Sequence, residues 1–550
     1  MCLMRKPSII REDFSERQLK ENGACMGAVK AEGHTVGFVD IGTNAVRLLV
    51  VRINPNLSYT IVSQEKEVIR LGEEEFKDSL LKPEAMDRAV FVCGKFVELA
   101  KTYGAANIIA VGTSAIREAK NQSVFLQRLY QETGLKVHVI SGEEEARLIY
   151  LGVSSGINIG EEKAVFIDLG GGSTEVAIGN QNQCCFVSSL RIGAIRLTAQ
   201  YIGEGWTEAI PVNTYKQMKQ AACSKANLAK AKVQEYGVRR AWGSSGTVIN
   251  LAEIANKMFK KNGNGETLTL SRKNLKKLAP ILCSLSLEDR KKLPAINPYR
   301  ADIIVAGAAI MDALMEELGL EEVTISHREL RDGLLVDYLS HFSGFREMQK
   351  TPTRDRSVLH LGRSCNFDEK HAESVTTLAL ELFDSAKHIG LHNLGDAEKE
   401  LLKYSSTLHD VGDFLSFSDH HLHSHYIISN AGLLGFDPKE IKVMANIARF
   451  HRKKLPSRKS MKWEGLDEKS EETVLILSTF LRFAEKLDRS HCGLVKKVEF
   501  TKVTSDQVLL TFYSDSDCSF EEWSIIQNRM AFYEAFEKQL DVHCVVTPNT

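Results

Sequence analysis

The chain has 550 residues, with 43% hydrophobic and 26% charged side chains. That is an ordinary globular composition with room for three or four domains. A net charge of −1 neither demands nor forbids a polyanionic partner, because basic residues cluster locally. The longest apolar stretch, Ile303 to Met315, is interrupted by Asp312 and is too short to span a bilayer. No membrane or nucleic-acid partner is expected. Eleven cysteines in no zinc-like or disulfide-like spacing read as free thiols, so a cytoplasmic location is expected. Cys184 and Cys185 are adjacent in a predicted strand and should face opposite ways.

Residues 1–34 are polar and charged and lack the apolar run of a secretory signal. They read as a disordered extension, or as an upstream segment with Met26 the true start. Three short strands are predicted between Thr35 and Arg70. A helix follows over Pro83–Lys101, with Pro in its first turn. Asn107–Val111 reads as a buried strand, Gln122–Thr133 as a helix and Lys136–Ile140 as a strand. Ser141 then caps a helix whose first turn carries Glu143, Glu144 and Glu145. Strands are expected around Asp168, at Thr174–Ile178 and at Phe186–Leu190. A helix after Gly193 and a long helix over Val212–Glu235 come next. Strand Val238–Trp242 runs into Gly243-Ser244-Ser245-Gly246-Thr247 and a helix, a unit of the phosphate-binding kind. Helix Arg300–Glu316, strand Glu322–Ile325 and helix Arg328–His341 complete this part. From Thr351 the pattern turns helical and rich in His. A β-β-α-β element closes the chain, with strands Val495–Phe500, Gln507–Phe512 and Val542–Val546 and a helix over Glu521–Lys538.

One pattern occurs twice. Val36–Val50 and Ala164–Ile178 are each an apolar run ending in Asp, a Gly turn with hydroxyl or amide side chains, and a second apolar run. Asp40 and Asp168 stand about one domain length apart. A Gly-Ser/Thr turn lets backbone N–H groups close on a phosphate, since no Cβ keeps the anion away. An Asp at a strand end can hold hydrated Mg²⁺. Two such hairpins facing each other would clamp a phosphate chain.

These elements resemble the actin/Hsp70/sugar-kinase superfamily of duplicated ribonuclease-H-like folds. Within it the chain resembles the exopolyphosphatase/guanosine pentaphosphate phosphohydrolase family. The residues that carry the resemblance are Asp40–Asn44, Gly112–Arg117 with Asn121, Ile140–Leu148, Asp168–Glu175, Arg191–Gly193 and Gly243–Thr247. The match runs from about Val36 to Tyr338. It implies an α/β fold of two ribonuclease-H-like domains, Thr35–Gly160 and Glu161–His327, with helix Arg328–Ser343 packing back on the first. It also implies that Glu145 is the catalytic base, a carboxylate able to take a proton from the attacking water. Glu143 and Glu144 read as first-turn acids that also raise the pKa of the base. Arg117 suits bidentate phosphate binding. Asp168, Glu175 and Asp40 have the chemistry for Mg²⁺, with Mn²⁺ and a monovalent cation as open alternatives and no organic cofactor. Phosphate contacts are expected from Gly42, Thr43 and Asn44, from Gly170, Gly171, Gly172 and Ser173, and from Gly243, Ser244, Ser245, Gly246 and Thr247. No Cys or Ser stands in a nucleophile–base arrangement, which favours direct attack by water.

The His-rich region, Thr351–His491, resembles the metal-dependent HD phosphohydrolase superfamily, followed by a small α+β cap over Cys492–Thr550. His371 matches the first ligand and His409-Asp410 the eponymous pair. The closing Asp is expected within Leu481–Asp488, where Glu485 stands after Ala484 and Asp488 lies one turn later. Asp488 is the residue carried forward as ligand. His420, His421, His423 and His425 read as a polar loop. In relatives such a domain serves substrate binding and dimerisation, which implies a homodimer. Arg449, Arg452, Lys453, Lys454, Arg458, Lys459 and Lys462 form a basic stretch. Arg452, Lys453 and Lys454 in particular could line a polyanion channel.

The resulting expectation is a Mg²⁺-dependent exopolyphosphatase acting on inorganic polyphosphate. The alternative is hydrolysis of guanosine pentaphosphate, on shared motifs. A sugar or acetate kinase of the same superfold is disfavoured by the Ser-Gly-Glu-Glu-Glu signature together with Arg117. An actin-type scaffold is disfavoured by the joint presence of Glu145, Asp168 and Arg117.

Overall fold

Both Asp-bearing runs form a strand, a tight turn and a second strand. A computed structural model describes residues 33–73, 78–203, 205–259, 267–348, 350–453, 466–502 and 504–546. Two compact units meet in the sequence between Thr353 and Arg354. The expected N-terminal extension, apart from Gly33 and His34, lies outside the described residues, as do Lys454, Arg458, Lys459 and Lys462. No helix among the described residues is long and apolar enough to cross a membrane.

Unit 1 contains two sheets. The first joins β1 (His34–Ile41), β2 (Ala45–Ile53), β3 (Tyr59–Val68), β4 (Ala105–Gly112) and β5 (Val137–Val139) in the order β3-β2-β1-β4-β5. The second joins β6 (Ala164–Leu169), β7 (Thr174–Gly179), β8 (Cys184–Leu190), β9 (Arg240–Ser244), β10 (Thr269–Ser271) and β11 (Glu322–Ile325) in the order β10-β11-β9-β6-β7-β8. Each sheet is an antiparallel meander of three strands whose first strand also pairs in parallel with a later one. The second sheet repeats the topology of the first and adds one edge strand. β1 is buried along nearly its whole length, as a strand covered on both faces must be. β3 is an edge strand, and the charges of Glu65, Lys66 and Glu67 suit an unpaired edge.

Helices fix how the turns are held. α1 (Gly142–Ser154) is capped by Ser141, whose Oγ accepts from the N–H of Glu144 at 3.1 Å. α2 (Gly246–Phe259) follows β9 directly. α3 (Ile304–Glu317) is buried on every side from Ile304 to Met315, and its Gly307 lets Thr247 approach: a Cβ there would sit 2.4 Å from Thr247 Cγ2. α4 (Leu330–Leu339) packs on α1 and β1. At the crossing of α1 and α4 there is room only for glycine. A Cβ on Gly333 would fall 1.9 Å from Leu148 O, and one on Gly152 would fall 2.8 Å from Glu329 O.

Several element boundaries differ from the sequence expectation. The long helix over Val212–Glu235 is two helices, Val212–Lys225 and Asn227–Tyr236, because Ala226 turns into the core at 0% exposure. Helix Arg300–Glu316 begins only at Ile304, since Pro298–Arg300 forms a single 3₁₀ turn. Helix Arg328–His341 covers only Leu330–Leu339, capped where the Glu329 N–H donates to Asp332 Oδ2 at 2.8 Å.

Unit 2 holds α5 (Glu369–His388), α6 (Asp396–Thr407), α7 (His420–Asn430), α8 (Pro438–Arg449) and α9 (Glu468–Leu487). It also holds a sheet of β12 (Val495–Lys502), β13 (Gln507–Ser514) and β14 (Gln539–Val546). The expected Glu521–Lys538 helix is two short ones, Ser519–Ile526 and Arg529–Phe536. Asn528 closes the first by donating to Ser524 O at 2.8 Å. Helices and sheet share one core, in which Phe383 and Phe480 lie with Phe500, Phe512 and Phe532.

The crossing of α1 and α4 has a measurable consequence. Gly333→Ala should destabilise the protein by about 2–3 kcal/mol, the cost of forcing an extra methyl into a full site. A urea titration should show a lower midpoint, and an unchanged midpoint would mean the helices can part freely.

Candidate active site

The two hairpin turns have the same geometry. The Gly42 N–H donates to Ala45 O at 3.0 Å, and the Gly170 N–H donates to Ser173 O at 2.9 Å. They also face each other, since a Cβ on Gly171 would lie 3.2 Å from Thr43 Cβ. Between them lies a cleft lined by Asp40, Gly42, Thr43, Asn44, Glu145 and Asp168, by Gly170 to Ser173, and by Glu175, Ser245, Gly246 and Thr247. All of these stand among the residues expected from sequence. Three members of that expectation, Arg117, Gly243 and Ser244, do not line the cleft. Gly243 lies inside β9, where a Cβ would press on Val248 and Val323 at 2.8 Å, so its role is close packing. Ser244 is paired with Asp168 across the sheet, and its Oγ is buried without a hydrogen-bond partner.

Register gives the hairpins opposite chemistry. In the first sheet Arg47 stands across from Asp40, and its Nη1 donates to Asp40 Oδ2 at 3.2 Å. In the second, Glu175 stands across from Asp168. Glu175 Oε1 accepts from Ser189 Oγ at 2.7 Å. Arg47 also meets Glu329 at 2.8 Å through Nε. Arg300, buried against Gly246, donates from Nη1 to Thr247 Oγ1 at 2.9 Å. Sequence reasoning missed Arg47, Arg300 and Glu329. Arg47 was within reach of it, because antiparallel register after a two-residue turn places it opposite Asp40. Arg300 and Glu329 are distant in sequence and carried no local signal beyond polar residues ahead of a helix.

Glu145, in the first turn of α1, is 7% exposed. Arg117 Nη1 donates to its Oε2 at 3.0 Å and to Ile140 O at 2.8 Å. Burial, reinforced by the charge of Glu175, raises the Glu145 carboxyl well above the usual range, with Arg117 opposing. Burial likewise pushes Asp168 and Glu175 up to about 7 and raises Asp40, where Arg47 opposes. Glu329 is the exception. Burial acts against it too, yet Arg47 and the surrounding cations hold it below the ordinary value. Ser245 adopts a φ of 83°, a left-handed conformation that non-glycine residues adopt at a cost.

The oxygen set has the chemistry for a hard dication, although Asp40, Asp168 and Glu175 do not bring one oxygen each within 4.8 Å of one another. Asp40 Oδ1 and Asp168 Oδ1 are buried and have no hydrogen-bond partner, and Glu175 shares the same cleft. Carboxylates without imidazole or thiolate suit Mg²⁺-type ions.

Unit 2 brings His371, His409 and Asp410 together with Glu485. Asp488, the closing ligand expected from sequence, instead lies behind His371, 2.8 Å from Nδ1. His420 and His421 are buried at the start of α7 rather than in a polar loop. Of the basic stretch, Lys453 pairs with Asp419 and Arg452 stacks over Phe417 at 5.3 Å.

Residues 49–342 match the Ppx/GppA phosphatase family, and residues 353–522 match Ppx/GppA phosphatase, domain III. The guanosine-5'-triphosphate,3'-diphosphate pyrophosphatase of Aeromonas hydrophila is 31% identical over 74% of this chain and 78% of that protein. Its counterpart from Pseudoalteromonas translucida is 30% identical over 78% of this chain and 83% of that protein. Among solved structures, an exopolyphosphatase from Cytophaga hutchinsonii superposes with a TM-score of 0.51 at 26% identity, covering 56% of this chain and 99% of that one. Unit 1 therefore has the actin-like ATPase type of α/β fold, and the cleft between its hairpins belongs to a phosphoanhydride hydrolase. The chain is a member of the Ppx/GppA phosphatase family.

Proposed function

We propose that the chain is an exopolyphosphatase that releases terminal phosphate from inorganic polyphosphate, with Glu145 taking a proton from the attacking water. The observation that carries this reading is the placement of Glu145. It is a buried carboxylate of raised basicity, held by Arg117, on a cleft whose other walls are the Gly42–Asn44 and Gly170–Ser173 turns. Phosphoryl transfer needs positioning and charge neutralisation more than covalent help. The turns present N–H and hydroxyl donors to phosphate oxygens, while Arg117 holds Glu145 in place and faces developing negative charge. Asp40, Asp168 and Glu175 would hold the divalent ion, which would supply charge neutralisation on the phosphate oxygens. Water is the nucleophile, and the leaving group is the shortened chain.

Guanosine pentaphosphate is the second reading, and one observation favours it. Beside the cleft, sharing Asn44 and Ile303 with it, lies a cavity of about 300 Å³ rimmed by Trp206 and Tyr299, with Arg70 and Arg290 in its wall. Trp206 and Tyr299 are 45% and 68% exposed, which leaves them open to stack on a nucleobase. The relatives similar in sequence are named for the nucleotide reaction and the solved structure for the polyphosphate reaction. The finer reading of the fold is also ours: two ribonuclease-H-like halves followed by an HD-like helical domain. It rests on the repeated sheet order and on the His-Asp cluster of unit 2. A homodimer and a hold on long chains by Arg452, Lys453 and Lys454 belong to the same proposal.

Glu145→Gln should lower turnover by at least ~10²-fold, the range for losing a general base, while phosphate chains still bind. Near-normal turnover would reassign the base. With both substrates in parallel, Trp206→Ala with Tyr299→Ala should raise KM for guanosine pentaphosphate about tenfold or more, on the order of one lost stacking contact, and leave polyphosphate hydrolysis unchanged. Equal effects on both substrates would remove the nucleoside assignment. Asp168 and Glu175 keep protons in the folded, metal-free protein up to about pH 7 that the unfolded chain releases near its ordinary carboxyl range. The stability these protons confer is full below about pH 4 and is lost as pH climbs through about 7. The Tm of chelator-treated protein should therefore fall from about pH 4 to about pH 7 and level off above it, and fall less in Asp168→Asn. A flat profile would show that the two carboxyls titrate normally.

A further inference from the structure

Three charged residues stand in a row across the first sheet: Asp40 on β1 is paired with Arg47 on β2, and Arg47 with Lys66 on β3. Residues paired in this way share a face of the sheet. Phe38 shares it too, and Tyr338 of α4 meets Phe38 edge to face at 5.7 Å, so this is the face that α4 covers. The row leads from the cleft, through Asp40 and Arg47, out to the exposed edge strand. Glu65 and Glu67, which flank Lys66 in the chain, project from the opposite face.

The start of α4 brings further charge to the same place. Gln64 lies on the face of Lys66 and, with its amide oxygen turned toward the helix, accepts from Arg331 Nη1 at 3.1 Å and from Nη2. Glu329, directly ahead of α4, meets Arg47 Nε at 2.8 Å. Four cations, Arg47, Arg331, Lys66 and Arg300, act on that one carboxylate. Arg47 is also engaged with Asp40. Lys66 and Arg331 form no ion pair among the described residues. Crowding by neighbouring side chains, and then the charges of Arg47, Arg300 and Arg331, pull the Lys66 ammonium down to about 8. An anion arriving from solvent relieves repulsion of this kind.

The base lies on another side of the cleft. The charges nearest Glu145 are Glu175 and Arg117, and neither is among the groups that act on Lys66. In-line displacement puts the leaving oxygen opposite the attacking water. A phosphate chain attacked from the Glu145 side therefore leaves toward the row of cations.

We infer that Lys66 and Arg331 form an outer phosphate subsite, which holds the phosphates behind the terminal one and stays with the leaving chain. This rests on the reading of the cleft as one that acts on a terminal phosphate. The ligand class is a phosphoanhydride chain of three or more phosphates, recognised by its charge and not by a base or sugar. A lone orthophosphate fills only the inner site between the turns.

Full-length Glu145→Gln protein with Mg²⁺ should be titrated calorimetrically with orthophosphate and with tripolyphosphate. Adding Lys66→Ala and Arg331→Ala should weaken tripolyphosphate binding about tenfold or more, the lower end for hydrogen bonds between charged groups, and leave orthophosphate binding unchanged. With Glu145 in place, the same pair should raise KM for polyphosphate to a similar extent at unchanged kcat, and Lys66→Arg should restore most of what Lys66→Ala loses. Equal weakening of both ligands would overturn the outer subsite, because the two cations would then act through the inner cleft. Tripolyphosphate binding unmoved by the pair would overturn it as well, since the leaving chain would run elsewhere. Failure of the unmutated protein to release phosphate from any chain would instead sink the reading of the cleft, which the binding comparison tests separately.

Discussion

Four carboxylates, the buried Asp40, Glu145 and Glu175 and the half-buried Asp168, crowd one cleft, and gathering them there is the constraint that the rest of unit 1 answers. Cations answer it from three directions. Arg47 comes from across the strand, Arg117 from beside the base, and Arg300 from the turn ahead of α3. Burial outweighs these cations, with the neighbouring carboxylates adding to it, and the acids titrate above their ordinary range. A site left short of positive charge is one that the proposed dication would complete, and the same deficit that costs stability would then provide the affinity.

The tight packing around the cleft follows from that burial. Carboxylates with raised pKa values need water kept away, and the approach of α4 to α1 through Gly152 and Gly333 brings Glu329 and the base into one frame. Gly246 lets the guanidinium of Arg300 lie flat on the loop, and Gly307 lets α3 close beneath Thr247. These glycines are required by close approach rather than by turn geometry. Nothing in a single sequence separates the two uses.

Much of unit 1 was legible because its signals are local. Apolar runs ending in Asp, the Gly turns between them and the Ser141 cap each specify their own conformation, and the strands and helices over the first two hundred residues fall where those patterns place them. The misjudged positions depend on partners far along the chain. Ala226 breaks a helix because the core accepts it, and Arg300 leaves helical geometry to reach Thr247. Gly243 carries a motif's sequence yet serves sheet packing. In unit 2 the histidines could be counted from sequence. Their convergence, and the placing of Glu485 rather than Asp488 among them, depend on how α5 and α9 lie together.

The duplicated hairpins are alike in backbone and opposite in charge where it matters: the residue across from the first aspartate is Arg47 and across from the second is Glu175. A cleft made from two copies of one motif would otherwise look the same from either end. This single difference in register chemistry gives it polarity, one wall attracting anions and the other cations. A charged group seated between the turns therefore meets unlike surroundings on its two sides, and the two walls of the cleft are not interchangeable.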